Sequence, residues 1–328
     1  MTPMRTRLIR IHETGGPEVM RLEEAEIGDP GPGQVRLKQT AIGVNFTDIY
    51  NRSGLYGNRL PITLGFEAAG MVEAVGERVE GFKVGDRVAY SGPPIGAYAE
   101  ARLYPADRLV PLPSWIEDAT AASLLLRGMT AEYLLRRAYP VKKGDTILVH
   151  AAAGGLGLIM CQWARFLGAH VIGAVGSADK LPIAQANGAE HVFLTGDPAW
   201  PAKVREVTDG LGVPVVYDTI GKETFTGSLD SLARRGLLVS CGNASGRPPP
   251  IELSALNDRG SLFVTRAALW DYIATRRELM ESAASLFDVI HRGVVKPTIA
   301  GRFPLADAAA AHRVLESRKA IGSLILIP

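Results

Sequence analysis

The sequence predicts an α/β protein, a doubly wound parallel sheet joined to a mostly β domain. Three observations carry that prediction. From residue 146 onward, apolar strand patterns alternate with helical ones, as a parallel sheet with helical crossovers requires. A glycine-rich turn, Gly154-Gly155-Leu156-Gly157, joins the first of those strands to the first helix. Before about residue 112 the chain instead runs in short alternating segments punctuated by turns.

Composition narrows the class. A chain of 328 residues suits two domains, and 47% hydrophobic with 21% charged residues excludes disorder and fibre. The 36 basic and 34 acidic residues are interspersed, leaving no basic stripe for nucleic acid or an anionic membrane. Cys161 and Cys241 make no disulfide framework, which fits a reducing compartment. The N-terminal stretch MTPMRTRLIRIHETGG has no apolar core of signal-peptide length, and apolar runs elsewhere break well short of a membrane span. A cytoplasmic protein is expected.

In the first domain, Val35-Arg36-Leu37-Lys38 and Asp86-Arg87-Val88-Ala89-Tyr90 alternate as half-buried strands do. Residues 28–33 (Gly-Asp-Pro-Gly-Pro-Gly), Gly81, Gly85 and Pro93-Pro94 mark turns. Helical runs begin near residue 119. The turn Lys143-Gly144-Asp145 introduces an apolar strand at 146–149, and a helix at 158–167 is stopped by Gly168. A strand at 171–175, a helix at 181–186 ending in Asn187-Gly188, a short strand at 192–193 and buried strands at 213–218 and 237–240 follow, with a last strand at 261–265. Helices at 277–291 and 305–317 and a strand at 323–327 are assigned back to the first domain. The expected division is 1–125 with 266–328, and 126–265.

The segment from His150 to Gly157 follows a strand and opens a helix, the context of a dinucleotide-binding turn in a Rossmann domain. Gly154 lets the backbone approach a pyrophosphate, Gly157 lets the helix pack on the strand, and the N-terminal amides of the helix face the phosphate charge. Ala152 replaces the first glycine of the usual pattern, and a flavin or S-adenosylmethionine site can share such a turn, so the next strand must discriminate. An NAD-preferring site carries Asp or Glu at the end of that strand. Here the strand ends in Gly176-Ser177, with Lys180 close behind. The small residues leave room for a 2′-phosphate, Ser177 offers a hydroxyl and Lys180 a counter-charge, so NADPH is expected over NADH.

The run HAAAGGLGLIMCQWARFLGA, from His150 to Ala169, resembles the zinc-free, ζ-crystallin-like quinone oxidoreductases of the medium-chain dehydrogenases and reductases. Asn45-Phe46-Thr47-Asp48, Arg52-Ser53-Gly54-Leu55-Tyr56, Gly65-Phe66-Glu67-Ala68-Ala69-Gly70 and the ending Gly322-Ser323-Leu324-Ile325-Leu326-Ile327-Pro328 are similar too. The resemblance implies a GroES-like first domain and NADPH contacts from Ala153, Gly154, Gly155, Leu156, Ser177, Lys180, Thr219 and Asn243. It places Asn45, Tyr50 and Thr130 on the nicotinamide side. Thr195 stands where the family often has a tyrosine against the adenosine end, and Cys241 where it has an aromatic residue at the fifth strand's end. Zinc-dependent relatives use a cysteine and the histidine of a G-H-E motif, where this chain has Asn45 and Phe66, so no metal is expected. Without such a Lewis acid, quinones or conjugated enones fit better than alcohols. The resemblance also implies a homodimer or tetramer, of which the homodimer is expected, pairing through the edge strand at residues 261–265.

Hydride transfer needs a donor for the oxygen that becomes negative. Tyr50, Tyr56, Asn45 and Arg52 are the donors nearest in sequence, although the tyrosines could equally serve as packing at a domain seam. Asp48 reads as a hydrogen-bond acceptor near Arg52. The six histidines have no ligand spacing, and Cys161, Trp163 and Met129 read as packing. The expected activity is NADPH-dependent quinone reduction without zinc. Reduction of the C=C bond of alkenals or enones is the alternative, and a non-catalytic crystallin-like or RNA-binding role the second.

Overall fold

The structure, a computed structural model, describes residues 4–328 and divides into two compact units. The first holds the chain up to Arg127, with Ala274–Ala283 and Pro297–Pro328; the second holds Gly128–Ile273 and Ala284–Lys296. The tail from residue 266 therefore does not return whole to the first domain as expected. Packing explains why residues up to Ile273 stay with the second unit. The Tyr133 and Tyr272 rings stack at 4.3 Å between centroids, and Arg137 donates to the Tyr272 carbonyl at 2.6 Å.

The first unit is built on a seven-stranded sheet whose path runs Ile299–Pro304, Ser323–Ile327, Gln34–Val44, Glu67–Val75, Arg87–Ser91 and Val110–Pro111, with Ala101–Pro105 paired to Gln34–Val44. A second sheet pairs Met4–Ile11 between Arg21–Ile27 and Ile62–Thr63. The period of two along Gln34–Val44 turns Val35 and Leu37 inward, where they join Ile42, Leu64, Tyr98 and Leu326 in one core. Among the elements not read from the sequence, two stand out in this unit. The helix Phe46–Arg52 interrupts the β domain, and the strand Ile299–Pro304 mixes Gly, Arg and Pro, with Ile299, Gly301 and Phe303 on its more buried side.

In the second unit six strands lie parallel in the spatial order Ala189–Leu194, His170–Val175, Thr146–His150, Val213–Asp218, Leu232–Ser240 and Phe263–Thr265. Strand order reverses at Thr146–His150, the first in sequence, which is the doubly wound arrangement. The near-continuous apolar runs follow from burial on both faces. Leu148, Ile172, Val216 and Leu238 from four strands share a core with Trp200 and Phe225. The helix after the glycine turn, Gly155–Phe166, begins three residues earlier than expected, because the turn glycines themselves enter it. Among the described residues no helix is long and apolar enough to cross a membrane.

Candidate active site

In the second unit the candidate residues gather where the parallel strands end. Ala151 and the glycine turn follow Thr146–His150, Ser177 follows His170–Val175, Thr195 follows Ala189–Leu194, Thr219 follows Val213–Asp218, and Cys241 follows Leu232–Ser240. In a doubly wound sheet this rim, beside the point where strand order reverses, is where a ligand binds.

The turn is shaped by backbone. Ala151 adopts a left-handed φ of 50°, and Gly154 is extended at φ −82°, ψ 170° as the N-cap of a twelve-residue helix, with no side chain capping that end. The helix amides and dipole at Gly155 and Leu156 thus remain available to an anion. A Cβ on Gly157 would strike the Ala151 carbonyl oxygen, so only glycine lets the helix approach the strand. Ala152 and Ala153 are buried beneath. A pyrophosphate fits this cradle.

At the second strand's end Gly176 has open space around its Cα. Ser177 hydrogen-bonds Asp179, and this bond, helped by the Lys180 charge, holds the Asp179 carboxyl below its ordinary range. Thr195 donates from its hydroxyl to the Val175 carbonyl at 3.3 Å, tying the second and third strand ends together.

Asp218, which sequence reading took only as the end of a strand, organises the next rim segment. Its buried carboxylate accepts from the Ile220 and Gly221 amides at 2.8 and 3.0 Å, from the Thr224 hydroxyl and from the Ser228 hydroxyl at 2.8 Å. The Cys241 amide donates to the Asp218 carbonyl at 2.8 Å and the Ala244 amide to the Thr219 carbonyl at 3.3 Å. A Cβ on Gly242 would collide with that Thr219 carbonyl. Thr219, Cys241 and Asn243 are therefore brought together. Burial pushes the Cys241 thiol up to about 12, so it is no thiolate at neutral pH. Arg266, also missed, donates to the Ser240 and Gly242 carbonyls at 3.0 and 3.2 Å. Thr130 is half-buried on the helix Asp118–Tyr133.

In the first unit the candidates sit on the helix Phe46–Arg52 and its flanks. Asn45 caps that helix; its amide NH donates to Asp48 Oδ2 at 2.8 Å and its side chain to Glu67 Oε2 at 2.9 Å. Glu67 also accepts from the Leu126 amide at 2.6 Å, while Arg127 donates to the Val44 carbonyl at 2.6 Å and to the Ser123 carbonyl at 3.3 Å. Asp48 and Glu67 are fully buried, and burial pushes both carboxyls up to about 7 against the opposing charge of Arg127. The Tyr50 and Tyr56 rings meet edge to face at 5.3 Å.

Two expectations about this group are corrected. Arg52 is not a pocket donor. Only 2% exposed, its guanidinium pairs with Glu316 and donates to the Gly15 carbonyl at 3.1 Å and to His312 Nδ1 at 3.1 Å, because burying this cation requires that much compensation. Asp48 is a hydrogen-bond acceptor, but its partners are Asn45 and the Tyr98 hydroxyl, at 3.0 Å, rather than Arg52.

Comparison with known proteins supplies the family. The profile of the "Alcohol dehydrogenase GroES-like domain" matches residues 31–114, and that of "Zinc-binding dehydrogenase" residues 155–285. A 2-haloacrylate reductase of a Burkholderia species is 49% identical, covering 97% of this chain and 98% of the relative. A quinone oxidoreductase of Pseudomonas aeruginosa is 48% identical, covering 96% and 97%. The chain belongs to the quinone oxidoreductases of the medium-chain dehydrogenase/reductase superfamily. Among solved structures, the quinone oxidoreductase of Escherichia coli complexed with NADPH superposes with a TM-score of 0.96 at 46% identity, over 98% of this chain and all of that one. The α/β architecture, with its parallel sheet and GroES-like β domain, is the superfamily's own.

One superfamily property does not carry over. Phe66 offers no metal donor, Asn45 offers a neutral amide in place of a thiolate, and among the described residues no three His, Cys, Asp or Glu side chains gather to hold a metal. These residues do not fit catalytic zinc.

Proposed function

We propose that this oxidoreductase reduces quinones by hydride transfer from NADPH, without zinc. The observation that carries the reading is the uncapped, glycine-lined helix N-terminus standing beside a strand end, Gly176-Ser177, that has no acid at the end of the strand itself and Lys180 three residues beyond Ser177, with Asp179 between them held by Ser177. The names of its relatives, a quinone oxidoreductase bound to NADPH among them, point the same way.

When bound, the reduced nicotinamide supplies the hydride. The chain's residues bind and orient. Ala153, Gly154, Gly155, Leu156 and Gly157 hold the pyrophosphate, Ser177 and Lys180 the 2′-phosphate, and Thr195 borders the adenosine end. Thr130, Thr219, Cys241 and Asn243 line the remainder of the cofactor's path. Tyr50, Tyr56 and Asn45 border the acceptor and donate to the oxygen that gains negative charge. Arg52, committed to Glu316, supports this group from behind.

A second reading has its own support, since a relative at 49% identity is named a 2-haloacrylate reductase. An activated C=C bond takes hydride at carbon and leaves charge on a conjugated oxygen, which the same donors would meet. The protein is further proposed to act in the cytoplasm, consistent with two free cysteines. It is proposed to form a homodimer through the edge strand Phe263–Thr265, where Phe263 is 61% exposed.

Initial rates with 1,4-benzoquinone and with 2-chloroacrylate, each with NADPH and NADH, test the proposal. Faster turnover of the quinone, with NADPH preferred, is expected. Turnover of the chloroacrylate alone would move the chemistry to the double bond, and equal use of both cofactors would remove the role of Ser177 and Lys180.

A further inference from the structure

We infer that Asp48, Tyr98 and His312 form a positioning chain of one-directional hydrogen bonds that sets the acceptor-side helix Phe46–Arg52, and with it Asn45 and Tyr50. The inference rests on the acceptor-side role of those two residues proposed above.

The direction of every bond follows from Arg52. A guanidinium only donates, so His312 Nδ1 accepts from Arg52 Nη1 at 3.1 Å. Burial and the adjacent Arg52 charge push the imidazole down to about 3, which keeps it neutral near physiological pH. A neutral ring whose Nδ1 accepts carries its proton on Nε2, so that nitrogen donates to the Tyr98 hydroxyl at 2.9 Å. Tyr98 has one proton left and aims it at Asp48 Oδ2, 3.0 Å away. The same oxygen accepts the Asn45 amide at 2.8 Å.

This is more than a local helix cap. A cap needs only the contact from Asp48 to Asn45, three residues apart. Here the carboxylate is also gripped through Tyr98 and His312 from the helix Ala308–Glu316, and Asp48, Tyr98, His312 and Arg52 are all buried. Asp48 Oδ1 makes no hydrogen bond, so the orientation of the carboxylate depends on the donors at Oδ2. Glu67 and Arg127 also act on Asp48 through their charges, in opposite senses, and Glu316 closes the far end on Arg52. The helix that carries Asn45 and Tyr50 is thus held by Tyr98 and His312, which lie outside it.

Tyr98→Phe removes one donor while keeping the ring. It should lower kcat/KM for the acceptor on the order of 10- to 100-fold through misplacement of Asn45 and Tyr50. Affinity for NADPH should be unchanged. The acid limb of the pH profile should move to higher pH, because a carboxylate that loses a hydrogen-bond donor becomes easier to protonate. His312→Gln can still accept from Arg52 and donate to Tyr98, and should recover most activity; His312→Leu can do neither and should behave as Tyr98→Phe does. Nitrogen NMR of the wild-type imidazole should show the Nε2–H form throughout the range in which a free histidine titrates, about 5.5 to 7.5.

Wild-type kcat, KM and pH profile in Tyr98→Phe, with only the melting temperature lowered, would overturn the chain. So would equal behaviour of the two His312 variants, a comparison that decides the matter even if Tyr98→Phe does not fold, or a protonated ring near pH 6. The acceptor used is whichever the wild-type enzyme reduces. Failure of the quinone reading therefore shows in the wild type, and failure of the chain only in the variants and the imidazole spectrum.

Discussion

The material of the candidate residues differs between the two units. In the second unit it is mainly backbone, with glycines that admit close approach, helix amides and carbonyl-to-amide ties between strand ends. In the first unit it is side chain. Two buried carboxyls, two buried arginines and a tyrosine–histidine pair lie on and around a short helix. A pyrophosphate is the same in every use of NADPH and can be met by fixed peptide groups, whereas an acceptor is particular and is met by side chains that substitution can retune. The side-chain half should therefore be the more sensitive to single changes and to pH.

The largest effect is expected at Arg127, the cation facing both buried carboxyls. Arg127→Leu should cost about 3–5 kcal/mol of stability at neutral pH, measured by urea unfolding. Adding Glu67→Gln should return part of that loss. A loss as small as a surface substitution gives would break the contrast between the halves.

The pH dependence sharpens it. Asp48 and Glu67 are raised from 3.8 and 4.5 to about 7, so between those limits the folded state binds more protons than the unfolded one. Their contribution to stability is complete below about 4 and is lost as pH rises through 7. Urea midpoints should thus fall from pH 5 to pH 8, and Glu67→Gln should flatten the slope; a slope unchanged in the variant would contradict it.

On the backbone side the effects are smaller and more specific. Lys180→Ala should cost roughly 1.5 to 3 kcal/mol of NADPH affinity and little for NADH, since the charge-assisted bond exists only with the 2′-phosphate. Gly157→Ala places a Cβ against the Ala151 carbonyl and should cost about 1–3 kcal/mol in stability, with weaker NADPH binding read by nicotinamide fluorescence. Ala151→Gly should act least. It relieves a left-handed φ but loosens the unfolded chain, for a net gain below about 1 kcal/mol in thermal unfolding.

The same contrast decides what could be read from sequence. The parallel sheet announces itself through apolar runs and a glycine turn, signals that span only a few residues. Gly154, Gly157, Ser177 and Lys180 could be placed because each lies just beyond a recognisable strand. Arg52 was misjudged because its partner Glu316 lies 264 positions away, and no local pattern reports a bond of that span. The link from Tyr98 to His312 spans 214 positions, and an isolated histidine on a helix carries no sign of it. Asp218 looked like the end of a strand until the loop folding back onto its carboxylate showed its work. The resemblance supplied the proposed acceptor-side residues, and packing shows one of them, Arg52, held by Glu316 and His312.

The most direct test of metal-free reduction is the rate of NADPH oxidation with 1,4-benzoquinone by chelator-stripped protein, measured before and after zinc is added back. Full turnover by the stripped enzyme, unchanged by zinc, is the predicted result. Loss of turnover that zinc restores would contradict the account at its centre.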